Sequence, residues 1–281
     1  MIQAGDYNIL IIDRLTDFGF FLVDRERSGE VLLPNRYMTD SMTIGDFLEV
    51  FVYLDSEDRI VATTEEPLLT LGEYAYLQVI EETRFGAFLD WGLPRDLLVP
   101  FAEMEVPMKK RNFYPVTLFL DEKTNRLAAS SKIYRFLKPA NPDSFSLNDE
   151  VTGFVYEEME IGFKVVVDNQ FRGMIFKNQV FSPIAVGDKI TAFVKEIRED
   201  GKIDLVLQKA GYEVVEPVAE IILKELKRNN GFLPFHDKTE PEIIKSRFGI
   251  SKKIFKKAVG KLFKDKVIEL TDTGITMVNQ K

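Results

Sequence analysis

The chain of 281 residues contains no cysteine. Disulfides, thiol nucleophiles and thiolate metal sites are therefore excluded, and a cytoplasmic protein is the simplest reading. A single histidine, His236, sits beside Phe235 and Asp237, so triads and transition-metal sites built on imidazole have almost nothing to be made from. No apolar run approaches the ~20 residues that a membrane helix needs, so no membrane partner is expected. The opening stretch, Met1-Ile2-Gln3-Ala4-Gly5-Asp6, lacks the basic start and apolar block of a signal peptide. No Gly-x-x-x-x-Gly-Lys-Ser/Thr segment offers a nucleotide cradle. The acidic clusters Glu65-Glu66 and Glu157-Glu158 with Glu160 read as solvated faces rather than Mg²⁺ sites. These absences point to a protein with no metal, no cofactor and no catalytic set. The 45% apolar content nevertheless suffices for ordinary globular cores.

What the chain does have is a pattern repeated three times: Phe18-Gly19-Phe20-Phe21-Leu22, Phe85-Gly86-Ala87-Phe88-Leu89 and Ile161-Gly162-Phe163-Lys164-Val165. Each copy follows an apolar, strand-like run. Repeats must be found before any fold assignment, and spacings near 70 residues suit small β domains rather than solenoid units. In the first repeat, runs at 7–14, 20–24, 30–33, 47–54 and 59–63 are bounded by Gly, Asp and Ser clusters, the signal for strands. Turns fall at Arg27-Ser28-Gly29 and Asp55-Ser56-Glu57-Asp58, and a loop over 35–46 separates the third strand from the fourth. Five strands with one long loop predict a closed Greek-key barrel of the OB type.

The predicted architecture is mainly β: three tandem OB-fold, five-stranded barrels at 1–66, 67–137 and 144–211, followed by a winged helix-turn-helix at 215–281. Lys138-Pro139-Ala140-Asn141-Pro142-Asp143, with two prolines and no apolar period, reads as a linker. In the tail, apolar residues at Val218, Ile221, Ile222 and Leu226 form a helical stripe, with Pro217 at the first position and Asn230-Gly231 as the stop. A second helix is predicted to begin at Thr239 and stop at Gly249. Ser251 caps a third helix over 252–264, its inner face formed by Ile254, Phe255, Ala258, Val259, Leu262 and Phe263. Two strands, 267–270 and 275–278, complete the wing.

Net charge is −8 but unevenly spread. Residues 1–135 hold 14 Lys and Arg against 23 Asp and Glu. Residues 136–211 hold 9 against 12, and residues 212–281 hold 14 against 10. Attraction for phosphate is weighted toward the C-terminal end. The third tail helix carries Lys253, Lys256 and Lys257 away from its apolar face. In the recognition slot of a helix-turn-helix they would meet phosphates; a merely solvated amphipathic helix would look the same.

A bulge at Gly19 or Gly86 would bring the flanking rings, Phe18 with Phe21 and Phe85 with Phe88, onto one face. Paired rings form a stacking platform for bases, although phenylalanine is as readily a core residue. Trp91 either caps the second barrel or extends its platform.

On these residues the repeats resemble S1 domains, OB-type RNA-binding modules whose pattern has Phe-Gly-Ala-Phe on the second strand, Gly-Leu-Val-His on the third and Asp-x-x-Gly-Arg before the last. Phe85-Gly86-Ala87-Phe88 is a literal match. The resemblance implies an RNA site made from the two aromatics, the histidine and the turn Asp and Arg. Carried over, it gives Phe18, Phe21, Asp55 and Arg59 in the first repeat and Phe85, Phe88, Asp121 and Arg126 in the second. Pro34 and Pro100 stand in the histidine place. In the third repeat Ile161 and Lys164 replace the aromatics, Phe176 takes the histidine place, and Arg198 and Lys202 take the turn positions. With Arg172 and Lys177, that repeat has less stacking surface and more positive charge. Three such repeats with a winged helix and no enzyme domain resemble the conserved virulence factor B family of bacterial RNA-binding regulators, which implies a role in gene expression and virulence.

The expectation is a non-catalytic protein that binds single-stranded RNA, with DNA as the alternative polynucleotide. The third repeat and the winged helix would make the main contacts, and the rings of the first two would add weaker ones. The competing readings are an adaptor docking on ribosomal or transcription proteins, which the acidic first half favours, and a DNA-binding regulator using the winged helix alone.

Overall fold

The computed structural model describes residues 1–55, 57–180, 182–208, 215–236 and 238–278. The predicted turn position Ser56, the boundary at 211 and Asp237 lie outside the described residues.

The first barrel comprises β1 (Asp6–Thr16), β2 (Gly19–Val23), β3 (Glu30–Pro34), β4 (Phe47–Leu54) and β5 (Ile60–Thr63). It closes in the order β1-β2-β3-β5-β4, with β3 and β5 parallel at Leu32 and Val61. Alternation sets its core: Leu10 and Ile12 of β1, Phe20 and Leu22 of β2, and Val31 and Leu33 of β3 point inward.

The second unit comprises β6 (Tyr74–Glu82), β7 (Gly86–Leu89), β8 (Leu97–Pro100), β9 (Phe113–Asp121) and β10 (Arg126–Ser130). The third comprises β11 (Glu150–Glu158), β12 (Gly162–Val167), β13 (Phe171–Phe176), β14 (Lys189–Ile197) and β15 (Ile203–Val206), closed by parallel pairing of β13 with β15. The second differs from its neighbours. It is a five-stranded sheet of order β10-β9-β6-β7-β8, in which β8 and β10 lie side by side without a ladder among the described residues. Three closed barrels were expected; two closed barrels and a half-barrel are observed.

The glycine of each repeat opens the second strand, and its role differs from the expected bulge. A Cβ on Gly19 would lie 2.0 Å from the Leu33 carbonyl oxygen, on Gly86 2.0 Å from that of Val99, and on Gly162 2.2 Å from that of Ile175. Glycine is required because two strands approach there more closely than a side chain permits. The bulges lie on the preceding strand instead, between Ile12 and Arg14, Val79 and Glu81, and Val155 and Glu157.

The segments between barrels are packed. Phe51, Tyr53 and Val61 of the first barrel share a core with Leu69, Leu77 and Trp91 of the second. Tyr74, Ile133, Leu137, Phe154, Tyr156 and Val166 form a second junction, with the Tyr74 and Phe154 rings stacked at 6.1 Å. The predicted linker is a strap. Lys138 donates its N–H to Gln170 O (2.8 Å), Ala140 donates to Gly201 O (2.8 Å), and the Ala140 side chain is buried.

The tail holds α1 (Val215–Arg228), β16 (Phe232–Leu233), α2 (Pro241–Phe248), α3 (Lys252–Lys264), β17 (Ile268–Thr271) and β18 (Gly274–Met277). Its strands form a three-stranded sheet of order β16-β18-β17 rather than a simple hairpin. The second helix starts at Pro241, because proline suits the first helical position. Thr239 lies in the turn before it and accepts the His236 N–H on its hydroxyl. Gly249 stops α2 in the left-handed conformation, φ 70°. The Ser251 hydroxyl accepts the Ile254 N–H and caps α3. Phe255, Ala258, Val259 and Leu262 are buried as expected, whereas Phe263 is 52% exposed.

Candidate nucleic-acid interface

The second strand of each barrel sets its outer ring by alternation. In β2, Phe20 and Leu22 fill the core, so Phe21 faces outward and is half-buried. Phe18, just before the strand, is 74% exposed. In β7, Ala87 and Leu89 turn inward and Phe88 outward, and Phe85 before the strand is 60% exposed. The rings thus stand outside both cores, and Phe85 and Phe88 line one cleft. In the third barrel Ile161, just before β12, is exposed, and Lys164 in β12 faces outward.

The place held by histidine in the S1 pattern faces the motif glycine across the ladder. Pro34 pairs Gly19, Pro100 pairs Gly86 and Phe176 pairs Gly162. Two cations beside the rings escaped the sequence reading. The Arg14 guanidinium lies 4.2 Å from the Phe21 ring centre, and that of Arg84 lies 4.7 Å from Phe85. Arg84 immediately precedes its ring, which is a usable signal. Arg14 is the ladder partner of Phe21, which becomes visible only once the register is known.

The expected cations of the barrels fall into three groups. Arg59 pairs with Asp55 (2.7 Å) within the turn. Burial pushes the Asp55 carboxyl up, and the Arg59 side chain with the N–H groups of Arg59 and Glu57 more than offsets this, holding it below the usual range. Lys164 pairs with Glu157 (2.8 Å), Lys177 with Glu158 (2.8 Å) and Lys202 with Asp200 (2.6 Å), all between partly exposed side chains. Asp200 is held below the usual carboxylate range by the Lys202 ammonium and backbone N–H.

The remaining three are built into the framework. Arg126 does not pair with Asp121; it reaches across to Asp58 of the first barrel. Arg172 lies over the Tyr134 ring (4.1 Å) at the junction of the second and third barrels. Arg198 pairs with buried Asp204 (2.6 Å) and sits 5.2 Å from the Phe176 ring centre.

On α3, Lys253, Lys256 and Lys257 are exposed, opposite the buried stripe. The first turn of α3, the turn between β17 and β18, and the stretch Phe235-His236 enclose a cleft of about 510 Å³ bordered by Lys238, Lys252 and Lys256. Trp91 is buried: its ring meets Phe51 edge-on at 5.8 Å, and its Nε1–H donates to Arg95 O. It therefore belongs to the junction between the first two barrels. Among the described residues no group of three His, Cys, Asp or Glu side chains could hold a metal ion, and no helix is long and apolar enough to cross a membrane.

Comparison with known proteins places this arrangement. Residues 4–65 and 71–132 match the S1 domain model, and residues 220–277 match the CvfB-like winged helix domain. YitL of Bacillus subtilis (strain 168) is 32% identical over 279 residues, spanning 94% of this chain and 90% of that protein. Conserved virulence factor B of Staphylococcus aureus (strain bovine RF122 / ET3-1) is 26% identical over 251 residues, spanning 86% and 82%. A crystal structure of a multidomain protein with nucleic acid binding domains from Streptococcus pneumoniae TIGR4 is 26% identical and covers 98% of both chains, with a TM-score of 0.41.

Proposed function

The chain belongs to the CvfB-like family of S1-type barrels joined to a winged helix, and on that premise we propose that it is a non-catalytic protein that binds single-stranded RNA and acts in the regulation of gene expression. The observation that carries this reading is the outward position of Phe18, Phe21, Phe85 and Phe88, each pair beside an arginine that stands over one of its rings. Flat rings outside a closed core contribute about 1–3 kcal/mol per stacked base and need unpaired bases to do so.

The main electrostatic contacts are assigned to the third barrel and the winged helix, as modules 144–211 and 215–281. Lys164, Lys177 and Lys202 are engaged by carboxylates, but pairs between exposed side chains are worth only about 0–1 kcal/mol. A phosphate can take the place of the carboxylate at little cost. Arg198 differs, because its partner Asp204 is buried and would be left uncompensated. The first two barrels offer rings on an acidic background, so they add stacking and little attraction for phosphate.

The test is a titration of the full chain against a labelled single-stranded oligo(U) across a salt series. Binding at low salt that weakens steadily with salt supports the reading. No binding at low salt removes it in favour of a protein-docking adaptor, which the acidity of residues 1–135 would suit. Displacement by duplex DNA in preference to single-stranded RNA would favour a DNA regulator.

A further inference from the structure

The winged-helix unit holds a cleft that its own core leaves unfilled. It has a volume of about 510 Å³ and lies between α3 and the turn joining β17 to β18. Its floor is apolar, since the buried core residues Phe255, Val259 and Ile275 also line it. Leu270 of β17 forms one wall. Alternation puts Leu270 on the same side of the strand as Ile268, which is buried in the core shared with the helices. Leu270 is nevertheless 52% exposed. The core face of the wing thus continues past the helices that cover its base.

The opposite wall has a gap to match. On α3, Lys252, Lys256 and Gly260 follow one another at i, i+4 and i+8 and form a row along the cleft. Gly260 ends that row without a side chain. A Cβ there would meet nothing within 4 Å, and the backbone is not left-handed. Neither a close approach nor a special conformation requires glycine at this place. Glycine is also a poor residue inside a helix, because it loses the most backbone freedom on folding. The fold gains nothing from Gly260, whereas an occupant of the cleft would gain a flat wall.

The rim is mostly of one sign. Among the described lining residues, Lys238, Lys252 and Lys256 stand against a single carboxylate, Asp272. The Nδ1 of His236 accepts the Lys238 N–H (3.1 Å), so the neutral ring carries its hydrogen on Nε2 and has a donor to offer. An apolar floor ringed by donors and cations fits an acidic segment that carries one bulky apolar side chain. It does not suit a base, because the lining rings, Phe235 and Phe255, are buried and present no open face for stacking. We propose that this cleft docks an acidic peptide segment of a partner protein. A side chain of leucine or phenylalanine size seats between Gly260 and Leu270, and Lys238 and Lys252 hold the flanking carboxylates. The proposal does not depend on RNA binding, which is assigned to the outward lysines of α3 and to the barrels.

The test pans random dodecapeptides displayed on phage over the immobilised full chain. Enriched sequences carry Asp and Glu around a bulky apolar residue, and one of them, labelled with fluorescein, is then titrated by anisotropy. Gly260→Leu fills the seat with a good helix former. It weakens the peptide roughly tenfold or more, the loss of one anchored side chain, while the melting temperature holds or rises. Lys238→Glu combined with Lys252→Glu weakens it severalfold without touching the floor, and decides the matter should the glycine variant misfold. Enrichment of basic or uncharged sequences overturns the proposal, as does no enrichment at all. An enriched peptide that either folded variant binds as well as the parent also overturns it. So does a Gly260→Leu chain that loses oligo(U) affinity at an unchanged melting temperature, because the cleft would then hold polynucleotide.

Discussion

At the scale of single residues, the motif glycines tolerate least. A methyl group at Gly86 would sit 2.0 Å from the Val99 carbonyl oxygen, and the φ of 151° is itself rare for a residue with a side chain. Gly86→Ala is predicted to cost at least about 1–3 kcal/mol through backbone strain. It would be seen as a lower urea midpoint at unchanged slope; an unmoved midpoint would show that β7 and β8 can part without cost. Asp24 offers a pH-dependent counterpart. The Ser28 hydroxyl first, then the Ser28 N–H, the Met1 ammonium and the Gly29 N–H, outweigh the upward push of burial and hold its carboxyl down at about 2 against an ordinary 3.8. A lowered folded-state pKa stabilises the fold above the ordinary value, and that contribution disappears as pH falls toward 2. Asp24→Asn should therefore be less stable than the parent at pH 7 and converge with it between pH 4 and 2, as followed by thermal melts; a constant gap would contradict the assignment. The importance of the motif glycines was legible from their repetition, but their reason was not. The unpaired bulge residues on the preceding strand are Asp13, Ile80 and Tyr156, which share no side-chain chemistry, so no residue type announces them.

At the scale of elements, α3 is the clearest case of sequence and structure agreeing, since a capping serine, a 3.6-residue apolar stripe and a lysine face all act within Ser251–Lys264. Replacing Lys253, Lys256 and Lys257 with Glu leaves the buried stripe intact and reverses the charge of the exposed face. It is predicted to weaken single-stranded RNA binding severalfold and to flatten the salt slope by about 2, from the loss of three phosphate contacts at about 0.7 each. Anisotropy titrations over a salt series measure both, and an unchanged affinity would take α3 out of the interface. The misread elements are the short and the capped ones. β16 is two residues long, below the length at which alternation can be detected. The hydroxyl of Thr239 suits a helix cap, which places the start of α2 there in the sequence, but that hydroxyl accepts the His236 N–H in the turn before the helix. The open seam of the half-barrel had no signal either, because the second repeat keeps the strand order of the first and its turn before the last strand is longer by only one residue.

At the scale of the whole molecule, the barrels are joined through cores rather than tethers. The strap at 138–143 looked like a linker because it is polar and has two prolines, and composition does not record where a backbone N–H goes. Lys138 and Ala140 each donate to the third barrel, and Ala140 is packed in that barrel's core. The junction beside the strap is held by the stack of Tyr74 on Phe154, where burial raises the Tyr74 phenol to about 12. A fixed spacing between barrels matters for a long ligand, because linked sites reinforce one another only when the geometry lets a strand engage them together. The strap amides are therefore predicted to be protected from hydrogen exchange in the native chain despite their composition. Tyr74→Ala removes one ring of the stack, at a cost of about 3–5 kcal/mol for a buried aromatic. It should raise exchange across 138–143 well before the barrel cores exchange. Mass-spectrometric exchange on peptides spanning the strap would decide it: rapid exchange in the native chain would return 138–143 to a tether and leave the third barrel free to swing.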